Sequence, residues 1–232
     1  MSSPNQPNPE AQDALEHMTR RRENLLSART LRLRRLVDLY LNPFFAEFAQ
    51  PYSVLVELLE EFGKLYLLPV IKQVYPEKVI RVVDWGAGSG WLGYELGHTP
   101  VFVDKRPLAK YQGIQELFDV ETVSEESENR IAEISMDSDI SILSEVLHCL
   151  TQEAQDQLVQ CINSDELLVI EQVADGTRVS AIAEQQIALA SGQPLMTAEE
   201  VEELLESGGW VVKDKRRLYH YVIWKAGLLN AR

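Results

Sequence analysis

The segment Asp84-Trp85-Gly86-Ala87-Gly88-Ser89-Gly90 sets three glycines at alternate positions, directly after an apolar run that ends in an aspartate. Glycine at this density weakens regular structure, so the segment reads as a turn whose bare backbone lets a ligand lie against it. The turn opens a helix, and a helix start offers free N–H groups and positive potential to an anion. The next apolar run, PVFVD, ends in Asp104. A carboxylate there is placed to accept both hydroxyls of a ribose. Together the two features suit a nucleoside with a negative group attached. Further on, Ser144 closes the run DISILS, Glu145 and His148 follow it, and Glu171 lies near the end of ELLVIEQV. A positioned histidine tuned near neutrality can remove a hydroxyl proton, an effect worth about 10²–10⁴-fold. His148 is the candidate base, with packing at a helix start as the alternative. Glu145 and Glu171 can orient the histidine or the substrate, touch the cofactor, or stand by.

Other residues carry weaker chemistry. Trp85 and Trp91 flank the glycines and can cover a sulfonium or an adenine, although core packing suits at least one of them. His98 reads as an exposed loop residue and His220 as a packed strand residue. Asp137 and Asp139 form a potential metal pair, but no third ligand presents itself. Gly88, Gly90 and Gly93 match the dinucleotide pattern G-x-G-x-x-G. That match starts late after the strand and sets Asp104 too close behind Gly93, so it reads as accidental.

The elements that position these residues follow from periodicity. From Lys78 onward apolar runs alternate with helical patterns, the mark of a parallel α/β sheet. Strands are expected at 79–84, 100–104, 139–144 and 166–173, with a short one near 119–123. Helices are expected at 90–97, 108–117, 151–162 and 196–209, and SEESEN (124–129) reads as an acidic loop. In the helix at 196–209, Thr197 and Glu200 form a capping box and Gly208-Gly209 supplies the stop. WVVKDKRRL and YHYVIWKAG leave no room for a crossover helix, so they form a hairpin that adds an antiparallel strand.

The pattern D-x-G-x-G-x-G resembles that of the class I S-adenosylmethionine (SAM)-dependent methyltransferases. The stretches SEVLHCLTQEAQDQLVQCINSDELLVIEQV and MTAEEVEELLESGGWVV are similar to segments of their small-molecule O-methyltransferases, so the likeness covers roughly residues 80–225. It implies a Rossmann-like, seven-stranded, mostly parallel sheet with an antiparallel C-terminal strand, plus a helical N-terminal arm. It implies that SAM is bound, and released as S-adenosylhomocysteine, at Asp84, Gly86, Ala87, Gly88, Gly90, Asp104, Ser144 and Glu145, with no metal. It implies methyl transfer to a small molecule at a hydroxyl oxygen, with His148 as base. Two departures stand out: the helix after the glycines is short, and the family's acidic adenine contact has no clear counterpart. Transfer to nitrogen, carbon or RNA is a rival, weakened by Ser144-Glu145-Val146-Leu147 standing where base-methylating enzymes carry an Asn-Pro-Pro-Tyr-type motif. A SAM-binding protein without transfer is another.

The chain of 232 residues divides into a polar, disordered tail (1–13), a helical arm (14–77) that lids the site or dimerises, and a SAM-binding domain (78–232). A net charge of -14 argues against broad nucleic-acid binding. The seven arginines within residues 1–36 read as a solvated helix face rather than an RNA contact. No apolar run approaches the ~20 residues of a membrane span. With two cysteines, no disulfide framework and no signal-peptide pattern, the cytoplasm is the expected setting.

Overall fold

The computed structural model describes residues 60, 63–107, 111–176, 193–218 and 220–229. The expected tail and most of the expected arm lie outside the described residues, as do residues 177–192. The frame is one seven-stranded sheet in the order β3-β2-β1-β4-β5-β7-β6. The strands are β1 (Val79–Trp85), β2 (Gly97–Asp104), β3 (Ile114–Leu117), β4 (Ile140–Ser144), β5 (Glu166–Gln172), β6 (Trp210–Leu218) and β7 (Tyr221–Leu228). β1 to β5 pair in parallel, and β7 runs antiparallel between β5 and β6. The order reverses between β1 and β4, which makes the C-terminal edge of those strands the place where ligands of such sheets collect.

The central strands are apolar throughout because both faces are covered. Alternate residues serve alternate faces. Val83, Trp85, Leu143 and Val169 pack toward the helices α3 (Glu125–Ser135), α4 (Gln152–Cys161) and α5 (Ala198–Ser207). Val82, Ile142, Leu168 and Ile170 pack toward α1 (Leu68–Val74) and α2 (Trp91–Leu96). α1 follows a wide π-turn at Gly63–Leu67, and Leu67, Ile71 and Tyr75 join the second face. The last turns of the expected arm are thus part of the core. In α5, Thr197 and Glu200 close the expected capping box.

Two stretches depart from expectation. The expected helix over 108–117 contains β3, whose Ile114 to Leu117 pair with Val101 to Asp104 of β2. A Cβ at Gly113 would come within 2.7 Å of the Pro100 carbonyl oxygen, so the chain enters β3 through a close backbone approach only glycine allows. The short strand near 119–123 is a turn. SEESEN is the start of α3, capped by Ser124, which exchanges hydrogen bonds with Ser127. Glu125, Glu126 and Glu128 fall in its first turn, where negative charge complements the helix dipole.

Candidate functional site

β1 ends at Trp85 and the chain turns at Gly86, Gly88 and Gly90, with φ of 62°, 58° and 75°. The turn is fixed from within and below: Ala87 N–H donates to the Val103 carbonyl (3.1 Å) and Gly90 N–H to the Ala87 carbonyl (2.7 Å). The three glycines serve different needs. A Cβ on Gly86 would stand 2.7 Å from a Val146 methyl, and one on Gly90 3.0 Å from the Phe102 ring. A Cβ on Gly88 would meet nothing closer than 3.9 Å, so its bare backbone faces open space. Gly86 and Gly90 are demanded by packing, whereas Gly88 leaves a cradle that a side chain would fill. Gly93 is structural as well. Its N–H donates to Asp84 Oδ2 (3.0 Å), and a Cβ there would be 3.0 Å from that carboxylate.

Asp84 is buried beneath the loop. Burial pushes its carboxyl up to about 7, against the Gly93 hydrogen bond and aided by the nearby Asp104. Asp104, at the end of β2, meets the loop directly. Its Oδ2 accepts from Gly88 N–H (3.1 Å) and its Oδ1 from Arg106 N–H (2.9 Å). Asp104 and the glycines are therefore one constellation, as their spacing implied. Ser89 Oγ, at the same turn, is buried without a hydrogen-bond partner. α2 has only six residues, which matches its short sequence pattern.

A second constellation lies past the ends of β4 and β5. Ser144 is the last residue of β4, and Glu145 follows with φ 58°. His148 sits in a 3₁₀ turn, Leu147–Cys149. Its Nδ1 is 2.8 Å from Glu171 Oε2. Glu171 is buried, and its Oε1 accepts from the N–H groups of Val146 and Leu147, each at 2.7 Å. An ionised carboxylate only accepts, so Nδ1 carries the proton toward Glu171 and Nε2 is the nitrogen left for chemistry. Burial, the largest single effect, would lower the His148 pKa, but the Glu171 charge, the hydrogen bonds with Cys149 and Glu171 and the Glu145 charge together outweigh it and hold the imidazole well above its ordinary value rather than near neutrality. Glu171, a secondary candidate in the sequence, is the residue that fixes the histidine. The apolar strand leading to a buried acid was the signal available for it.

The remaining candidates resolve individually. Trp85 is core, its indole N–H donating to Ser141 Oγ (3.2 Å). Trp91 is half-buried against Gly63. His98 is exposed, but in β2 rather than in a loop. His220 lies in the β6–β7 turn rather than in a strand, its Nε2 3.1 Å from Gln172 Oε1. Asp139 accepts from Arg81 N–H (2.7 Å) and pins β4 to β1. No cluster able to hold a metal occurs among the described residues. Asp119, which the sequence reading passed over, stands two residues beyond β3 at the same sheet edge as Asp104. A cleft of about 550 Å³ lined by Phe118, Asp119, Ser127 and Arg130 opens between β3 and α3, and neither the glycine turn nor His148 lines it. Among the described residues no helix is long and apolar enough to cross a membrane.

No protein-family model matches the sequence, and no curated protein matches it. Solved structures do. The chain is similar to human N-acetylserotonin methyltransferase in complex with SAM (TM-score 0.55, 18% identity, 75% of this chain and 55% of that one). It is similar to the O-methyltransferase NcsB1 from neocarzinostatin biosynthesis, in complex with SAM and a hydroxy-naphthoic acid (TM-score 0.54, 16% identity, 76% and 57%). It is also similar to the mitomycin 7-O-methyltransferase MmcR (TM-score 0.54, 17% identity, 77% and 61%). The chain spans little more than half the length of these proteins. The likenesses show that it has the α/β fold of SAM-dependent O-methyltransferases, with its seven-stranded sheet and antiparallel β7.

Proposed function

We propose that this chain is a SAM-dependent methyltransferase that acts on a hydroxyl oxygen of a small molecule. The observation that carries the reading is the His148–Glu171 pair, held one strand away from the glycine turn at the same sheet edge. The residues present fit SAM: Gly88 leaves open space above its backbone, Ser89 Oγ is unpartnered, and Asp104 stands over the turn. Asp84, Gly86, Ala87, Gly88 and Gly90 would hold the methionine half, Asp104 the ribose, and Ser144 the edge between them. Asp119 is our candidate for the adenine contact. When bound, SAM supplies an activated methyl group, so the protein's task is to align the reactants and exclude water.

Within that task His148 removes the acceptor's proton. Glu171 orients the ring through Nδ1 and stabilises the imidazolium, so His148 accepts a proton only in its neutral form, and turnover should rise with pH as more of the ring gives up its proton. The arm would close the site from outside. Lys64 donates to Glu60 Oε1 (2.6 Å) and to Tyr111 OH (2.7 Å), tying the arm's end to the segment after Asp104. We assign residues 14–77 to that lid and to a homodimer contact, residues 78–232 to chemistry, and the cytoplasm as the setting.

The test is to incubate the protein with SAM and a panel of phenols, and to quantify S-adenosylhomocysteine by chromatography. Acceptor-dependent product is expected, and His148→Ala should cut it by about 10²–10⁴-fold with SAM affinity unchanged. Normal SAM binding without product across the panel would overturn transfer and leave a SAM-binding protein. Unchanged turnover in His148→Ala would remove the base.

A further inference from the structure

Among the described residues, Glu145 is the one at the C-terminal edge whose conformation is costly and whose chemistry the mechanism above leaves unused. Its φ of 58° lies in the left-handed region, which only one other non-glycine residue, Asp137, adopts among the described residues. A side chain there is strained, and glycine would fit freely. The strain brings no evident structural return, because the backbone N–H of Glu145 donates to the Ile170 carbonyl (2.9 Å) whatever the side chain is. The side chain itself is half satisfied. Oε2 accepts from Gln172 Nε2 (2.8 Å), while Oε1 is buried with no hydrogen-bond partner. A buried carboxylate oxygen without a donor is expensive to keep. Burial accordingly drives the Glu145 carboxyl above the ordinary range, with the His148 charge and the Gln172 and Tyr221 side chains pulling it back.

The tether gives the direction. Gln172 ends β5, and its Oε1 meets Nε2 of His220 in the β6–β7 turn, whose Nδ1 is also buried and unpartnered. This polar chain runs from β4 to β5 to β7, away from β1 and β2, which carry the glycine turn and Asp104. Val146, next in the chain, is the residue that packs over Gly86. Although the resemblance sets Glu145 against SAM, this tether turns its carboxylate away from the glycine turn, toward the side where an acceptor would lie. Glu171 and Gln172 are successive strand residues and point to opposite faces. His148 and Glu145, which they hold, thus bracket the end of β5.

We propose that Glu145 is a specificity-determining residue whose free oxygen accepts a hydrogen bond from a second donor group, a hydroxyl or an amine, on the methyl acceptor. The inference rests on the acceptor site proposed above. It narrows the substrate class to molecules with two polar groups, one facing His148 and the other, set apart from it, facing Glu145. An acceptor lacking the second donor would leave the buried oxygen unpaired, which is the strongest way for such a site to reject a ligand.

The test uses the full chain saturated with S-adenosylhomocysteine. Calorimetry measures binding of the three benzenediols, the corresponding aminophenols and the mono-O-methyl ethers of the diols. Wild type should bind at least one diol about tenfold or more tightly than its mono-O-methyl ether, and the corresponding aminophenol more tightly than that ether as well. Glu145→Gly suits the backbone, so it should melt no lower than wild type, bind SAM equally, and bind capped and uncapped compounds within about twofold of each other. Glu145→Gln keeps an acceptor oxygen in place, so it should retain the preference that Glu145→Gly loses. The inference is overturned by a preference that survives in Glu145→Gly, by wild type binding no panel member, by loss of SAM affinity in the variant, or by a lower melting temperature. Turnover is recorded separately. Binding discrimination without methylation would sink the transferase reading and leave this one standing.

Discussion

The cradle at Gly88 admits a test in which folding and binding come apart. Gly88→Ala places a methyl group where the nearest protein atom is 3.9 Å away, so no clash with the protein arises. Only the backbone resists: φ is 58°, and an alanine there costs about 1–2 kcal/mol. For a domain of this size each kcal/mol lowers the melting temperature by about 2–4 °C, so a drop of roughly 2–8 °C is expected. A cofactor lying against that backbone would be pushed off by the methyl. Losing one hydrogen bond to a charged group costs about 1.5–3 kcal/mol, or about 10- to 150-fold in affinity. Gly209 supplies the control. Its φ is 81°, a Cβ there meets nothing within 4 Å, and it opens β6 at the opposite edge of the sheet. Gly209→Ala should therefore lower the melting temperature to a similar degree and leave SAM affinity intact. Calorimetric titration of SAM alongside thermal unfolding reads both quantities. Wild-type affinity in Gly88→Ala, or an equal loss in Gly209→Ala, would refute the placement of the cofactor over Gly88.

Three further outcomes are expected. In Glu171→Gln the amide oxygen keeps the Val146 and Leu147 N–H groups, and the NH₂ faces His148 Nδ1; this imposes the wrong tautomer. Turnover should fall about 10²–10⁴-fold with SAM affinity unchanged, and a fall under tenfold would deny Glu171 its positioning role. Asp104→Asn should weaken SAM binding about 10- to 100-fold by calorimetry, and equal affinity would remove the ribose assignment. Asp84 gives a pH signature. Its folded value near 7 lies above the unfolded value near 4, so the native state holds a proton the unfolded chain releases, and stability falls as pH rises from about 4 to 7. Urea unfolding across that range should show this component, up to about 4 kcal/mol, in wild type and not in Asp84→Asn. Parallel profiles would mean the carboxyl is not buried as described.

The glycine turn, the acid after β2, the capping box at Thr197 and the final hairpin were legible because each is local. The residues that signal them lie within a few positions of one another, or at the ends of successive strands. α3 was not legible, because its cap is Ser-x-x-Ser and its first turn is so acidic that it imitates a solvated loop. β3 was missed because it is a short edge strand, whose exposed Ile114 and Leu117 carry no burial pattern. The pairing of His148 with Glu171 and the left-handed backbone at Glu145 could not be read either. Both depend on how β4 and β5 align, and strand register has no trace in local spacing.

The position of β7 bears on how the protein comes into being. The strand made last lies inside the sheet, and β6, made before it, reaches the sheet only through it. During synthesis β1 to β5 can assemble in order. The outer edge of β5 then waits until residues 221–228 have emerged, with a full row of open backbone donors and acceptors beside an apolar strand. β6 meanwhile carries Lys213, Lys215, Arg216 and Arg217, charges that discourage it from pairing with the strand it must not join. The basic stripe on the finished edge thus also serves as a safeguard for the nascent chain.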